Sequence, residues 1–395
     1  MPPPRLILKP GKEKSLLRRH PWIFSGAVAA FEGECVVGDT VEVASHDGQF
    51  LAQAAFSPRS QIRARVWTFE HEESVDEAFF HRRVHRALAA RADLLRQHLP
   101  TRLVHAEADG LPGLIVDRYA DLLVVQFLTV GAERHRQSLI DALRDATGLT
   151  RIYERSDADV RALEGLASVT GAIAGDPPDS ALEVVEHGLV YAVDVVHGQK
   201  TGFYIDQRDS RECLSELAFG EVLNCFCYTG GFTLAALKAG AKAVTSVDSS
   251  REAIALAQRN LIRNGFEAQR ASWICEDVFS TLRGLRDRRQ SFDVVILDPP
   301  KFAPTAGHVE RAARAYKDIN LLALKLLRPG GMLLTFSCSG GVSPDLFQKI
   351  LAGAAADAQA TVCLEHRLFA PSDHPVLLSF PEGEYLKGLV LRKLS

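Results

Sequence analysis

An α/β fold is expected, with a doubly wound parallel sheet over the C-terminal half, preceded by a small β-rich module and an α+β stretch. The stretch 221–250, EVLNCFCYTGGFTLAALKAGAKAVTSVDSS, gives the first sign: an apolar strand, the turn Gly230-Gly231, a helix over 232–238 stopped by Gly240, and a second strand, 243–247, ending on Asp248. Next, apolar runs at 222–225, 243–247, 273–275, 292–297 and 332–336 alternate with helix-forming segments, the pattern of a parallel sheet with helices on both faces. Residues 5–70, in contrast, alternate short β-rich runs with turns, among them the hairpin dipeptide Asp47-Gly48.

Length and composition set the frame. A chain of 395 residues holds two or three domains, and 47% hydrophobic with 24% charged residues is ordinary globular composition. The N-terminus MPPPRLILKPGKEK has no apolar core of signal-peptide length, and no run of 18 apolar residues occurs, so no membrane association and a cytoplasmic address are expected. Seven cysteines, an odd number set mostly in apolar stretches, suit free thiols; Cys225 and Cys227 do not form a CxxC pair, and no metal is expected. Net charge is −3, yet residues 1–20 carry Arg5, Lys9, Lys12, Lys14, Arg18 and Arg19 against Glu13 alone. Clustered charge can make a nucleic-acid footprint; a solvated basic arm is equally open.

Along the chain, LILK, VVGDTVEVASHDGQFLAQAAF and QIRARVWTF read as the strands of an all-β module. Arg63 and Arg65 share a strand face, and Trp22 follows His20-Pro21; basic groups beside an aromatic suit phosphate contact with stacking, although Trp22 fits a small core better. A helix is expected over 78–98, with most of its arginines on a wet face, then two strands around Tyr119-Ala120-Asp121 and a helix at 133–147. Gly175-Asp176-Pro177-Pro178-Asp179 reads as a linker. A strand pair, ALEVVEHGLVYAVDV, precedes the polar segment HGQKTGFYIDQRDSREC, which enters a helix near Asp209. In the sheet units, Ser249 and Glu252 read as a capping box, and Asn264-Gly265 stops that helix.

In a doubly wound sheet, ligands lie outside the carboxyl ends of the strands. The informative residues are therefore Asn224 to Gly231, Asp248, Asp277, Asp298-Pro299-Pro300-Lys301-Phe302 and Ser337-Cys338-Ser339-Gly340. Asp248, 18 positions after Gly230, suits ribose hydroxyls, and Asp277 suits an adenine amino group; a helix N-cap is an equal alternative for either acid. Two prolines after Asp298 make a rigid turn that presents a carboxylate and carbonyls to a flat heterocycle. Related turns serve methylation of exocyclic amines, but the fourth residue here is Lys301, not an aromatic. Cys338 favours another route: a thiolate adding to carbon 6 of a pyrimidine makes carbon 5 nucleophilic. Asp298 would then protonate or hydrogen-bond the ring nitrogen, and Lys301 would help to hold the base. Cys213, Cys225, Cys275 and Cys363 read instead as buried core thiols.

Taken together, LLRRHPWIFSGAV, HGQKTGFYIDQRDSR, LNCFCYTGGFT, DPPKF, YKDINLLALKLL, TFSCSGG and DHPVLLSFPEGEYLKG resemble, in order and over nearly the whole chain, the bacterial 23S rRNA (cytosine-5)-methyltransferases of the RlmI type. The resemblance implies a PUA domain (1–75), a central α+β domain (76–180) and a Rossmann-like S-adenosyl-L-methionine (SAM)-dependent methyltransferase domain (181–395). It implies Cys338 as nucleophile and a SAM pocket of Lys200, Gln207, Arg208, Asn224, Phe226, Gly230, Asp248, Asp277 and Asp298, with Ser249 beside them. RNA contacts are expected from Arg18, Arg19, Trp22, Arg63 and Arg65. The partner implied is 23S rRNA or a large-subunit precursor, and a homodimer is left open. Many RNA cytosine-5 methyltransferases carry a second cysteine where this chain has Asp298-Pro299-Pro300-Lys301, so product release is unassigned. Alternatives are N-methylation of guanine or adenine in rRNA, a non-catalytic rRNA-binding assembly factor, and an oxidoreductase binding a nicotinamide cofactor.

Overall fold

The computed structural model describes residues 3–178, 182–302, 307 and 309–395. Met1 and Pro2 of the basic arm, Asp179 of the expected linker and Ala181 of the strand pair lie outside the described residues, as does the expected 180/181 boundary. The chain divides into two compact units: Met1–Val184 with Val193–Ile205 and Ser372–Gly383, and Val185–Ala192 with Asp206–Pro371 and Glu384–Ser395.

The first unit opens with β1 (Arg5–Leu8), α1 (Lys14–Leu17), β2 (Trp22–Phe24), β3 (Val28–Glu32), β4 (Thr40–Ala44), β5 (Phe50–Phe56) and β6 (Ile62–Thr68). They form a six-stranded sheet, β2-β6-β5-β4-β1-β3, over a core that includes Leu6, Leu8, Ile23, Val41, Val43 and Val66. The short strands β2 and β3 had no alternating pattern to announce them. Next come α2 (Glu77–Ala89), α3 (Ala92–Arg96), β7 (Thr101–His105), β8 (Leu114–Tyr119), β9 (Leu122–Phe127), α4 (Val130–Arg134), α5 (Arg136–Thr147), β10 (Arg151–Ser156), α6 (Val160–Glu164) and β11 (Val169–Ala174). These strands make a second sheet, β11-β10-β9-β8-β7. Ala55 and Trp67 of the first sheet join the core of the second, with Phe79, Phe80, Leu103 and Val125, while the first sheet keeps a core of its own.

Asp76 starts α2 by accepting the Phe79 N–H at 2.9 Å, which satisfies an otherwise orphaned donor. The single helix expected over 78–98 is broken at Ala90–Arg91, and the one expected over 133–147 is two helices meeting at His135. Arg91 is not on a wet face. It is 2% exposed, pairs with both oxygens of Asp109 (2.7 and 2.8 Å) and donates to the carbonyls of Ala87, Arg102 and Asp373. A buried guanidinium is tolerated there because its donors are satisfied.

A hairpin, β12 (Leu182–Glu186) and β13 (Leu189–Val193), precedes the second unit's main elements. They are α7 (Arg208–Leu217), β14 (Glu221–Cys225), α8 (Gly231–Lys238), β15 (Ala243–Asp248), α9 (Arg251–Arg263), β16 (Ala271–Cys275), α10 (Val278–Asp287), β17 (Phe292–Leu297), α11 (Val309–Leu326), β18 (Leu327–Ser337), α12 (Pro344–Ala358), β19 (Val362–Leu368) and β20 (Lys387–Lys393). The seven-stranded sheet runs β16-β15-β14-β17-β18-β20-β19, parallel as far as β18 and antiparallel in its last two strands. Helices α7, α8 and α9 pack successively, as do α10, α11 and α12. The cap of α9 is Ser250, one residue later than expected: its hydroxyl accepts the Ala253 N–H at 3.1 Å and donates to Glu252 at 3.0 Å. Of the four cysteines expected in the core, only Cys225 is buried; Cys213 is half-buried, and Cys275 and Cys363 are exposed because β16 and β19 are the outermost strands. Among the described residues, no helix is long and apolar enough to cross a membrane.

Candidate active site

The chain leaves β14 toward β15 and β16, then returns to β17 on the opposite side. Such a reversal opens a crevice at the carboxyl ends of the two central strands. The loop after β14 has three left-handed residues in five positions: Phe226 (φ 60°), Tyr228 (φ 47°) and Gly230 (φ 85°). Two are not glycine, a costly arrangement held in place by its surroundings. The Cys227 N–H donates to the Val247 carbonyl at 3.0 Å, and the Tyr228 N–H to an Asp248 oxygen at 2.8 Å. Gly230 is required by its φ and by packing, since a Cβ there would lie 3.0 Å from the Ala257 Cβ of α9. That glycine thus seats helix on loop.

Asp248 uses its second oxygen to accept the Ser250 N–H at 2.9 Å, so the half-buried carboxylate is fixed while keeping further lone pairs. Ser249 is exposed. Asp277, also exposed, caps α10 through the Ser280 N–H at 2.9 Å. Asn224 is fully buried under the loop, where it donates to Thr233 at 2.9 Å, and Thr233 in turn meets Ser246 at 2.8 Å. Gln207 donates to Asp298 at 2.9 Å. Arg208 is buried at the start of α7 beside Asp209. Lys200 belongs to the first unit, exposed, with its ammonium 4.3 Å from the Tyr204 ring centre.

Because β17 pairs with β18 in the register Leu297 to Thr335, the Asp298-Pro299-Pro300 turn and Cys338 leave the sheet side by side. The Cys338 Sγ lies 3.8 Å from the Pro299 carbonyl oxygen. Cys338 is half-buried, while its neighbours Ser337 and Ser339 turn inward. The buried Tyr316 hydroxyl meets the Ser339 hydroxyl at 3.1 Å. Burial pushes the Tyr316 phenol up, and the charges of Cys338 and Asp298 act the same way. Lys301 is exposed. Phe302 stands between Phe226 (6.4 Å between ring centres), Phe279 (5.9 Å) and Tyr316 (4.9 Å), an aromatic wall one residue beyond the position where the sequence was read for one.

Lys387 was not singled out in the sequence. Strand β20 sets it opposite Ser337, 3% exposed, with its ammonium donating to the Ser339 carbonyl at 2.9 Å. Burial pulls its pKa down, nearby Cys338 and Glu384 oppose that change, and Lys301 adds to it. A half-buried thiol beside a buried cation is a setting that favours the thiolate.

The residues expected at RNA divide in two. Arg18 and Arg19 are exposed, the latter 3.1 Å from Glu70. Arg63 donates to the Ser57 and Pro58 carbonyls. Arg65 bridges Glu107 (3.0 Å) and Glu164 (3.2 Å) and lies over the Trp22 ring, whose N–H donates to Glu107 at 2.7 Å and whose face meets Phe380. Arg65 and Trp22 therefore spend their polar and aromatic groups inside the unit.

Asn224 Oδ1 and Gln207 Oε1 are buried acceptors without a hydrogen-bond partner among the described residues. With Asp248 they fit a ligand rich in N–H and O–H donors, as the amino-acid and nucleoside ends of SAM are. We expect Asp248→Ala to weaken SAM binding about 10- to 100-fold, the worth of hydrogen bonds to a charged group, with Asp248→Asn intermediate. Calorimetric affinities equal to that of the unaltered chain would show that the carboxylate holds no ligand.

Residues 158–391 match the family model of S-adenosylmethionine-dependent methyltransferases, and residues 6–69 match a PUA-like domain. The chain is 50% identical over 392 residues to the ribosomal RNA large subunit methyltransferase I of Shewanella denitrificans, covering 98% of this chain and 99% of that protein. Its counterpart in Klebsiella pneumoniae is 49% identical over 392 residues, covering 98% of each. A SAM-dependent methyltransferase from Streptococcus mutans shares the fold, with a TM-score of 0.85 at 22% identity over 98% of this chain and 99% of that one. A methyltransferase structure complexed with SAH aligns with a TM-score of 0.86 at 21% identity over the same shares. The chain belongs to the ribosomal RNA large subunit methyltransferase I family and is a SAM-dependent methyltransferase with a PUA-like N-terminal domain.

Proposed function

We propose that this chain methylates carbon 5 of a cytosine in 23S rRNA through a transient bond between Cys338 and carbon 6 of the base. The observation that carries the proposal is the grouping of a half-buried thiol with the Asp298-Pro299-Pro300 turn, the Sγ being 3.8 Å from the Pro299 carbonyl, and with the buried ammonium of Lys387. The rRNA substrate is supported by the names of relatives about half identical over nearly the whole length. A substrate of that kind puts the enzyme in the cytoplasm.

Bound SAM supplies an electrophilic methyl group on a positively charged sulfur. Cys338 gives an electron pair to carbon 6, forming a C–S bond and making carbon 5 an enamine nucleophile. Asp298, fixed by Gln207, steadies the ring nitrogen as charge develops there, and Lys301 helps to hold the base. After carbon 5 takes the methyl group, its hydrogen leaves as a proton. The electrons of that bond restore the ring double bond, and the C–S bond breaks to return the thiolate. In the SAM pocket we assign Gln207, Arg208, Asn224, Phe226, Gly230, Asp248, Ser249, Asp277 and Asp298, all of the second unit. Asn224 acts through Thr233, and Gly230 through its packing on α9.

Nucleoside mass spectrometry of large-subunit rRNA incubated with the enzyme and SAM tests the proposal. It should yield 5-methylcytidine, whereas a methyl group on an exocyclic or ring nitrogen would overturn it. The second outcome is the one favoured if Phe302, half-buried just after the Asp-Pro-Pro turn, stacks on a purine.

Lys387→Met removes the cation beside the thiol. The thiolate loses stabilisation, its pKa rises, and the pH profile of methyl transfer should move to higher pH, with about a tenfold loss at pH 7 for every pH unit that the profile moves. An unmoved profile would exclude this role. Arg18 and Arg19 are the exposed members of the proposed RNA set; replacing both with alanine should weaken rRNA binding and lower its salt dependence by a slope of about 2.

A further inference from the structure

We propose that His81, His85 and Asp145 form a binding site for a divalent transition-metal ion, of the Zn2+ or Ni2+ class, that clips α2 to α5. Cysteine spacing pointed away from zinc; this ligand set uses no cysteine and draws on two helices 60 residues apart in the chain. His81 and His85 are four apart on α2, which stacks them on one helix face. Asp145 reaches them from α5, which packs against α2. Its Oδ2 lies 3.4 Å from His81 Nδ1 and 3.1 Å from His85 Nε2, and the three donor atoms all lie within 4.8 Å of one another.

The two separations from Asp145 are close to the donor spacings of a coordination polyhedron. A tetrahedral ion with ligand bonds of about 2.0 to 2.2 Å spaces its donors roughly 3.3 to 3.6 Å apart. Small side-chain rotations would therefore let three donors meet one ion. Two imidazoles and one carboxylate select borderline transition ions over Mg2+ and Ca2+, which prefer all-oxygen shells. The three side chains are 37%, 54% and 61% exposed, so the ion would enter directly and complete its shell with water. Such a site adds a bond between helices already in contact and binds only the folded unit, so it should stabilise that unit.

The test uses the full-length chain with exposed Cys275 and Cys363 changed to serine, so that these thiols do not compete. Calorimetric titration with Zn2+ should give one ion per chain, and added Zn2+ should raise the unfolding temperature. His85→Gln and Asp145→Asn, both at exposed positions and expected to fold, should each weaken binding about tenfold or more and remove the thermal shift. Co2+ should bind with visible ligand-field bands that are lost in the same variants. Failure of Zn2+ to bind stoichiometrically, or an affinity unchanged in both variants, would overturn the proposal and leave the cluster as two histidine–carboxylate pairs.

Discussion

Cys338→Ala abolishes methyl transfer to rRNA, with a loss of at least about 10³-fold, while SAM affinity stays within twofold of the unaltered chain. The first effect is large because the thiolate is asked to create the nucleophile, not to polish an existing reaction. Without it, carbon 5 of cytosine has no electron pair to offer, and no neighbour replaces it: Cys225 is fully buried, with its thiol pushed far up by burial. Cys227 is raised as well, by burial and then by the charge of Asp248. Cofactor affinity is spared because Cys338, at the end of β18, is not among the proposed SAM contacts, which come from the start of α7 and the ends of β14 to β17. Cys338→Ser should be nearly as inactive, since a hydroxyl is a far poorer nucleophile at neutral pH. Radiolabelled methyl uptake and calorimetry give the two readings; activity within tenfold of normal in either variant would sink the covalent route.

The largest expected loss of stability comes from Glu186→Gln. Glu186 and Arg211 form a bidentate pair, 2.7 and 2.8 Å, with both side chains almost wholly buried. Burial alone would lower the Arg211 pKa, and Glu186 more than reverses that. Removing one charge strands the other in the interior, at about 3 to 5 kcal/mol. Arg211 also fills the space beside Gly231, where a Cβ would lie 3.1 Å from its Cδ, so the loss should reach the first turn of α8 and the cofactor loop. Hydrogen exchange in β14 should accelerate accordingly. Glu186→Met combined with Arg211→Leu should recover much of the stability, because no lone charge remains. Exchange protection unchanged in Glu186→Gln would show that the pair contributes little.

The alternation of strands and helices from β14 to β18 was legible because most of the apolar runs are bounded by a helix cap, a glycine or a proline, and the residues just past each run stand at the carboxyl ends of the strands. Two strands of that sheet escaped. β19 mixes Glu365, His366 and Arg367 into an exposed edge, and β20 follows a long loop interrupted by Pro371, Pro375 and Pro381. With β20 escaped Lys387, whose burial comes from pairing with a strand some 50 positions earlier. The reading of Trp22 and Arg65 as RNA contacts missed their partners for a similar reason. Glu107 and Glu164 lie 42 and 99 positions from Arg65, and local pattern carries no information about charges that meet only on folding. The buried pair of Arg91 with Asp109 was hidden in the same way among arginines at helical spacing.

The carbon-5 route depends on a bond between sulfur and base that exists for part of each turnover. Substituting 5-fluorocytidine for cytidine in large-subunit rRNA makes that bond last, because fluorine cannot leave as a proton would. Incubated with SAM, the enzyme should form an RNA–protein complex that survives denaturing electrophoresis, with the attached nucleotide mapped by mass spectrometry to Cys338. Absence of any such complex, in an enzyme that still methylates unmodified rRNA, would contradict the account.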